Sequence, residues 1–111
     1  IIENAHLGKG LGLRFLRHIE RNAVLLFMVP IDSEDITKEY HILLKELKMY
    51  NPDLVDKPRI LAISKCDITD DEYLELIKPE INVDVPFYFI SSVSQKGLTE
   101  LKDALWKKMN E

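Results

Sequence analysis

Three short apolar runs separated by stretches of helical periodicity constrain this chain's fold more than any other feature. The runs are Ala23-Val24-Leu25-Leu26-Phe27-Met28-Val29, Arg59-Ile60-Leu61-Ala62-Ile63-Ser64 and Phe87-Tyr88-Phe89-Ile90. The first is apolar throughout, as expected of a strand covered on both faces, and Pro30 is expected to end it. Between the first two runs, Ile36, Tyr40, Leu43, Leu44 and Leu47 fall on one stripe of an amphipathic helix. Asp32 or Ser33 is placed to cap that helix, and Asn51-Pro52 to stop it. Thr69 and Glu72 have capping-box spacing ahead of a short helix with Leu74 and Ile77, and Pro79 lies near its end. After Gly97, Leu98, Leu101, Leu105 and Met109 share a stripe of a last helix. Strands alternating with helices imply right-handed crossovers and a parallel sheet. The expected fold is α/β, with three parallel strands and helices on both faces.

Composition narrows the function. The chain has 111 residues, one domain's worth. Its formal net charge of −4 argues against binding nucleic acid by charge alone. Cys66 is the single cysteine, so no internal disulfide can form and a reducing cytoplasm is the expected setting. No apolar run approaches a membrane span, and the first residues show no signal-peptide pattern. His6, His18 and His41 lack metal-ligand spacing with any Cys or carboxylate cluster, so no metal site is expected here. Gly8 to Gly12 reads as a loop. Leu13 to Glu20 reads as a helix, with Arg14, Arg17, His18 and Arg21 on one face. Such a face is either solvated or turned toward a partner.

The strand ends carry the chemistry. In open α/β sheets, ligands sit beyond the carboxyl ends of the strands. The second run ends in Ser64-Lys65-Cys66-Asp67, and the third in Ser91-Ser92-Val93. Guanine presents two donors on one edge, and an ionised Asp67 accepts both. Adenine lacks that donor pair and would leave the carboxylate unpaired. The stem of Lys65 can cover the base face while its ammonium stays in water. The Ser92 N–H is placed to donate to the guanine carbonyl. The plainer alternative is a solvated strand-end pair. Ser91 has no His or Asp nearby in sequence to activate it, so bracing the loop suits it better than attack. Cys66 reads as a small packing residue.

These strand ends resemble the NKxD and SAK base-recognition motifs of GTPases. Ser64 stands where the first has Asn, and Val93 where the second has Lys. A serine hydroxyl is shorter than an amide, so either a water spans the gap or the base has fewer contacts. Val93 matters less, because the Ser92 backbone makes the key contact. The run Ile1-Ile2-Glu3-Asn4-Ala5-His6-Leu7-Gly8-Lys9-Gly10-Leu11-Gly12, with Leu13 to Arg21 after it, resembles the segment that follows the DxPG motif in bacterial Obg GTPases.

The resemblance covers the whole chain. It implies the carboxy-terminal half of a G domain, a partial P-loop GTPase-type fold. Its switch II segment would be residues 1–21 and its base-recognition half residues 22–111. No G-x-x-x-x-G-K-[ST] phosphate loop occurs, and Gly8, Gly10 and Gly12 do not replace it. A start at Ile1-Ile2 without Met leads us to expect a fragment.

The implied parent is a GTP hydrolase that binds GTP or GDP with Mg²⁺. It would act in the cytoplasm, in assembly of the large ribosomal subunit. The implied base-binding residues are Ser64, Lys65, Asp67, Ser91, Ser92 and Val93, with no catalytic residue or metal ligand in this chain. Ile1 would occupy the place of a water-orienting glutamine and cannot do that work. The chain alone is expected to be inactive, to hold no nucleotide tightly, and to self-associate through the exposed strand Val24 to Val29. Two rivals stand beside this reading. One is another phosphate-handling α/β enzyme, with Asp67 as acidic catalyst and Asp32 as the only other candidate. The other is a non-catalytic α/β interaction module with an unused base pocket.

Overall fold

A computed structural model of the chain describes residues 24–109. The expected Gly8 to Gly12 loop, the Leu13 to Glu20 helix with its basic face, and Ala23 lie outside the described residues. Within them, strands β1 (Leu25–Pro30), β2 (Arg59–Ser64) and β3 (Phe87–Phe89) alternate with helices α1 (Ile36–Tyr50), α2 (Asp71–Ile77) and α3 (Leu98–Met109). Three 3₁₀ turns, Pro52–Asp56, Cys66–Ile68 and Lys78–Glu80, complete the order. The strands form one parallel sheet in the order β1-β2-β3. Phe27 pairs with Leu61, and Ile63 with Phe89.

The pleat sorts the strand residues between two cores. Leu25, Phe27, Val29, Leu61 and Ile63 share one buried cluster with Tyr40, Leu43 and Leu47 of α1 and Leu74 of α2. The alternate residues Val24, Leu26, Ile60 and Ala62 join Ile90 and Leu101 of α3 on the other face. Successive side chains on a strand point to opposite faces. A strand buried on both sides therefore reads as a continuous apolar run, which is why β1 and β2 stood out in the sequence. The expected α/β architecture, with helices on both faces of three parallel strands, is the one observed.

The ends of the elements differ in detail. Pro30 is the last residue of β1, paired with Ser64, rather than the first residue beyond it. Neither Asp32 nor Ser33 caps α1. Asp35 does, its carboxylate accepting the Lys38 N–H at 3.0 Å. The chain runs on through a turn after β1 before it enters the helix, so the cap falls later. Likewise Asp70, not Thr69, caps α2, accepting the Tyr73 N–H at 2.9 Å. Thr69 is occupied in the preceding turn, where its N–H donates to the Cys66 carbonyl. β3 closes at Phe89, although the Ile90 N–H still donates to the Ile63 carbonyl at 2.8 Å.

At the amino end of the sheet a polar clamp joins α1, β2 and the segment before β3. The buried Tyr40 hydroxyl donates to Asp84 Oδ1 at 2.8 Å. Arg59 donates to the Tyr40 hydroxyl, to the Val55 carbonyl at 2.6 Å, and to Asp84 Oδ2 at 3.2 Å. Each buried polar atom of the tyrosine is thereby satisfied.

Candidate functional site

The opposite, carboxyl end of the sheet holds the residues singled out from the sequence. β2 ends at Ser64, whose carbonyl accepts the Ile31 N–H at 2.9 Å. Lys65 then takes a left-handed conformation, with φ 61 and ψ 30. That conformation is unfavourable for a residue with a Cβ, and such strain concentrates at functional turns. It turns the chain out of the sheet into the 3₁₀ turn Cys66–Ile68, which carries Asp67 at the surface. Beyond β3, the Ser91 N–H donates to the Lys96 carbonyl at 3.0 Å and closes a tight loop. Gln95 (φ 65) and Gly97 (φ +73) turn that loop into α3.

The two loops are tied directly to each other. The Cys66 N–H donates to the Ile90 carbonyl at 3.0 Å. The fully buried Ser91 donates its hydroxyl to Asp67 Oδ1 at 2.8 Å, and the Ser94 N–H donates to Ser91 Oγ at 3.0 Å. Ser91 thus holds the Asp67 carboxylate by one oxygen. Oδ2 makes no hydrogen bond among the described residues, and the group is exposed to incoming donors. A carboxylate has about four acceptor positions, so one bond to Ser91 leaves capacity for two N–H donors. Lys96 and Asp71 form an ion pair between the Ser91–Lys96 loop and the first turn of α2.

Ser64 is the odd member. It is 8% exposed, and its Oγ is the one buried side-chain polar atom among the described residues without a hydrogen-bond partner. Buried polar groups are nearly always satisfied, which makes this hydroxyl an exception among the described residues. Cys66 is buried with its thiol donating to the Ile63 carbonyl at 3.2 Å, and burial pushes the thiol pKa up. That environment is inert. Ser92 and Val93 face solvent, Val93 at 79% exposure.

The structure therefore gathers Ser64, Lys65, Asp67, Ser91 and Ser92 on two adjoining loops, with Val93 at the outer rim. Two cavities lie elsewhere. A groove of about 650 Å³ runs along β1 and α1 past Met28, Pro30, Lys38 and Ile42. Another of about 340 Å³ lies between the start of α1 and the end of α2. Neither is lined by Ser64, Lys65, Asp67, Ser91, Ser92 or Val93. Among the described residues, no group of His, Cys, Asp or Glu is placed to hold a metal ion.

Sequence reasoning missed Lys96 and Asp71. They lie 25 residues apart, Asp71 at the start of α2 and Lys96 in the loop before α3, and nothing in composition separates such a tie from a solvated side chain. The Tyr40–Arg59–Asp84 clamp was missed too. Its one signal was an arginine opening an otherwise apolar strand.

A three-stranded parallel sheet with helices on both faces, and paired loops at its carboxyl edge, makes this an α/β protein of the GTPase-domain type, in part. No family model matches the chain. Curated relatives do. It is 59% identical to the GTPase Obg of Flavobacterium johnsoniae, a match covering 100% of this chain and 34% of that protein. It is 59% identical to the GTPase Obg of Bacteroides thetaiotaomicron, over 100% of this chain and 29% of that protein. The GTPase Obg of Azobacteroides pseudotrichonymphae is 60% identical over 98% of this chain and 32% of that protein. The chain belongs to the Obg family, and it spans about a third of the length of the curated relatives it matches.

Proposed function

We propose that this chain is the base-recognition part of a guanine-nucleotide-binding GTPase. The observation that carries the reading is the Asp67 carboxylate, oriented by Ser91 and left open on its other oxygen at the carboxyl edge of the sheet. Asp67 receives the two N–H donors on the guanine edge. Lys65 lays its stem along the base face, the exposed Ser92 supplies its backbone N–H to the guanine carbonyl, and Ser91 holds Asp67 in place. Val93 lines the rim. Ser64, where the resembling motif has Asn, is buried at the end of β2 and supports the turn that carries Lys65 and Asp67.

The family resemblance extends the proposal to the whole protein. It hydrolyses GTP with Mg²⁺ in the cytoplasm and acts in assembly of the large ribosomal subunit. No helix among the described residues is long and apolar enough to cross a membrane. This chain has no phosphate loop of the G-x-x-x-x-G-K-[ST] kind. Its 111 residues alone therefore bind nucleotide weakly and do not turn it over. The chain by itself associates with copies of itself through β1.

The test is base choice in the intact protein. Asp67→Asn replaces an acceptor by a group that also donates, so it weakens GTP and favours XTP, whose C2 oxygen accepts a hydrogen bond. Losing a charge-assisted bond costs roughly 1.5–3 kcal/mol, and titration with both nucleotides reads it. Unchanged GTP and XTP affinities would show that Asp67 does not read the base, and would leave a non-catalytic interaction module as the better account.

A further inference from the structure

Asp67 and the Ser92 backbone stand on different loops, and one flat base can engage both only if the loops hold a fixed separation. Two ties lie at the base-reading residues themselves, Cys66 N–H to Ile90 carbonyl and Ser91 hydroxyl to Asp67. The third lies outside them. Lys96 closes the β3–α3 loop, and Asp71 stands in the first turn of α2. Lys96 is anchored at both ends, its carbonyl accepting the Ser91 N–H and its ammonium meeting the Asp71 carboxylate. Its neighbours Gln95 and Gly97 both have positive φ, and the only other such residue among those described is Lys65 on the facing loop.

We infer that Lys96 and Asp71 are a positioning pair, an ionic strap that ties the Ser91–Ser92 loop to the first turn of α2, just after the Asp67 turn, and slows departure of the bound nucleotide. The inference rests on the base-recognition reading. The main-chain ties Cys66–Ile90 and Ser91–Lys96 use none of the strap's charged atoms, so the loops keep their fold without it. What the strap adds is resistance to the outward movement that frees a ligand. Its side chains are 43% and 84% exposed, so water and salt weaken it. Exposed pairs of this kind change an equilibrium by up to about fivefold.

The experiment measures dissociation of a fluorescent guanosine diphosphate from the intact protein. It compares the parent protein with Lys96→Met, Asp71→Asn and the double variant, at low and high salt. Each single change raises the dissociation rate about two- to fivefold at low salt. The double is no faster than either single, because both remove the same contact. The difference shrinks at about 1 M salt, where screening reaches down to roughly 3 Å. Association rate and GTP-over-XTP preference stay as they were, and so does the urea midpoint of Lys96→Met, which a merely structural role would move. Unchanged dissociation in the singles, effects that add in the double, or a lowered midpoint in Lys96→Met would overturn the strap. Asp67→Asn run in parallel separates the two proposals. If it switches base preference while the strap variants are silent, only the strap fails. If it leaves base preference unchanged, the base-recognition reading fails and takes the strap with it.

Discussion

Tyr40 shows how a single group couples the fold to pH. Its ring packs against Phe27 with 5.4 Å between centroids, and its hydroxyl donates to Asp84. Burial raises the Tyr40 pKa above its ordinary 10.0, and the tyrosine's hydrogen bond holds Asp84 below its ordinary 3.8. The two shifts act at opposite ends of the pH range. Asp84 binds its proton less readily folded than unfolded, so its stabilisation is present above about pH 3.8 and is lost as pH falls through the lower folded value. Tyr40 loses its proton less readily folded, so its stabilisation is present below about pH 10 and is lost as pH rises through the higher folded value. Tyr40→Phe should flatten both limbs of the stability profile, read as urea midpoints from roughly pH 3 to pH 11. A variant profile parallel to the parent's would show that this hydroxyl is not the coupling group. None of this was legible in the sequence. Tyr40 announced itself only as a member of an apolar stripe, and Asp84 as one acidic residue in a polar stretch. Lys65, Asp67 and Ser91 were legible, because a polar group directly after an apolar run can only stand at a strand's end.

At the scale of elements, β3 and α3 depend on one glycine. Gly97 has φ +73, and a Cβ built there would lie 2.1 Å from the Phe89 carbonyl oxygen. Gly97→Ala must therefore enter a left-handed conformation, which costs about 1–2 kcal/mol, and must also push backbone away from the last residue of β3. We expect a loss of stability above that range, measured by urea unfolding. A smaller loss would mean that the β3–α3 junction relaxes freely. Gly97 was read in the sequence as the point where the last helix begins, and it is. The existence and type of β1 and β2 were legible because burial on two faces leaves an apolar run, and those of α1 and α3 because a half-buried helix leaves an apolar stripe. The caps were not. Asp32, Ser33 and Asp35 all have the chemistry to cap α1, as Thr69 and Asp70 have for α2. Which one does so depends on how far the chain travels after the strand, which is a three-dimensional quantity.

Across the whole molecule, the sheet is a short stack of strands with a core on each face. Among the described residues β1 is paired on one side only, by β2. Leu25, Phe27 and Val29 are nonetheless buried, so the association proposed through Val24 to Val29 requires that edge to become uncovered, since it is an open row of backbone donors and acceptors that recruits other chains. Sedimentation of the purified chain at micromolar concentration should show dimers or larger species. A stable monomer would remove that part of the proposal. The strand order carries a further consequence. Each strand's neighbour in space is its neighbour in sequence, β1 beside β2 and β2 beside β3. During synthesis the amino-terminal parts of a chain fold first. When β2 is completed, the edge it must join has already been made, and β3 in turn finds β2 waiting. Assembly of these three strands can therefore keep pace with translation, each unit docking on its predecessor without waiting for a later one.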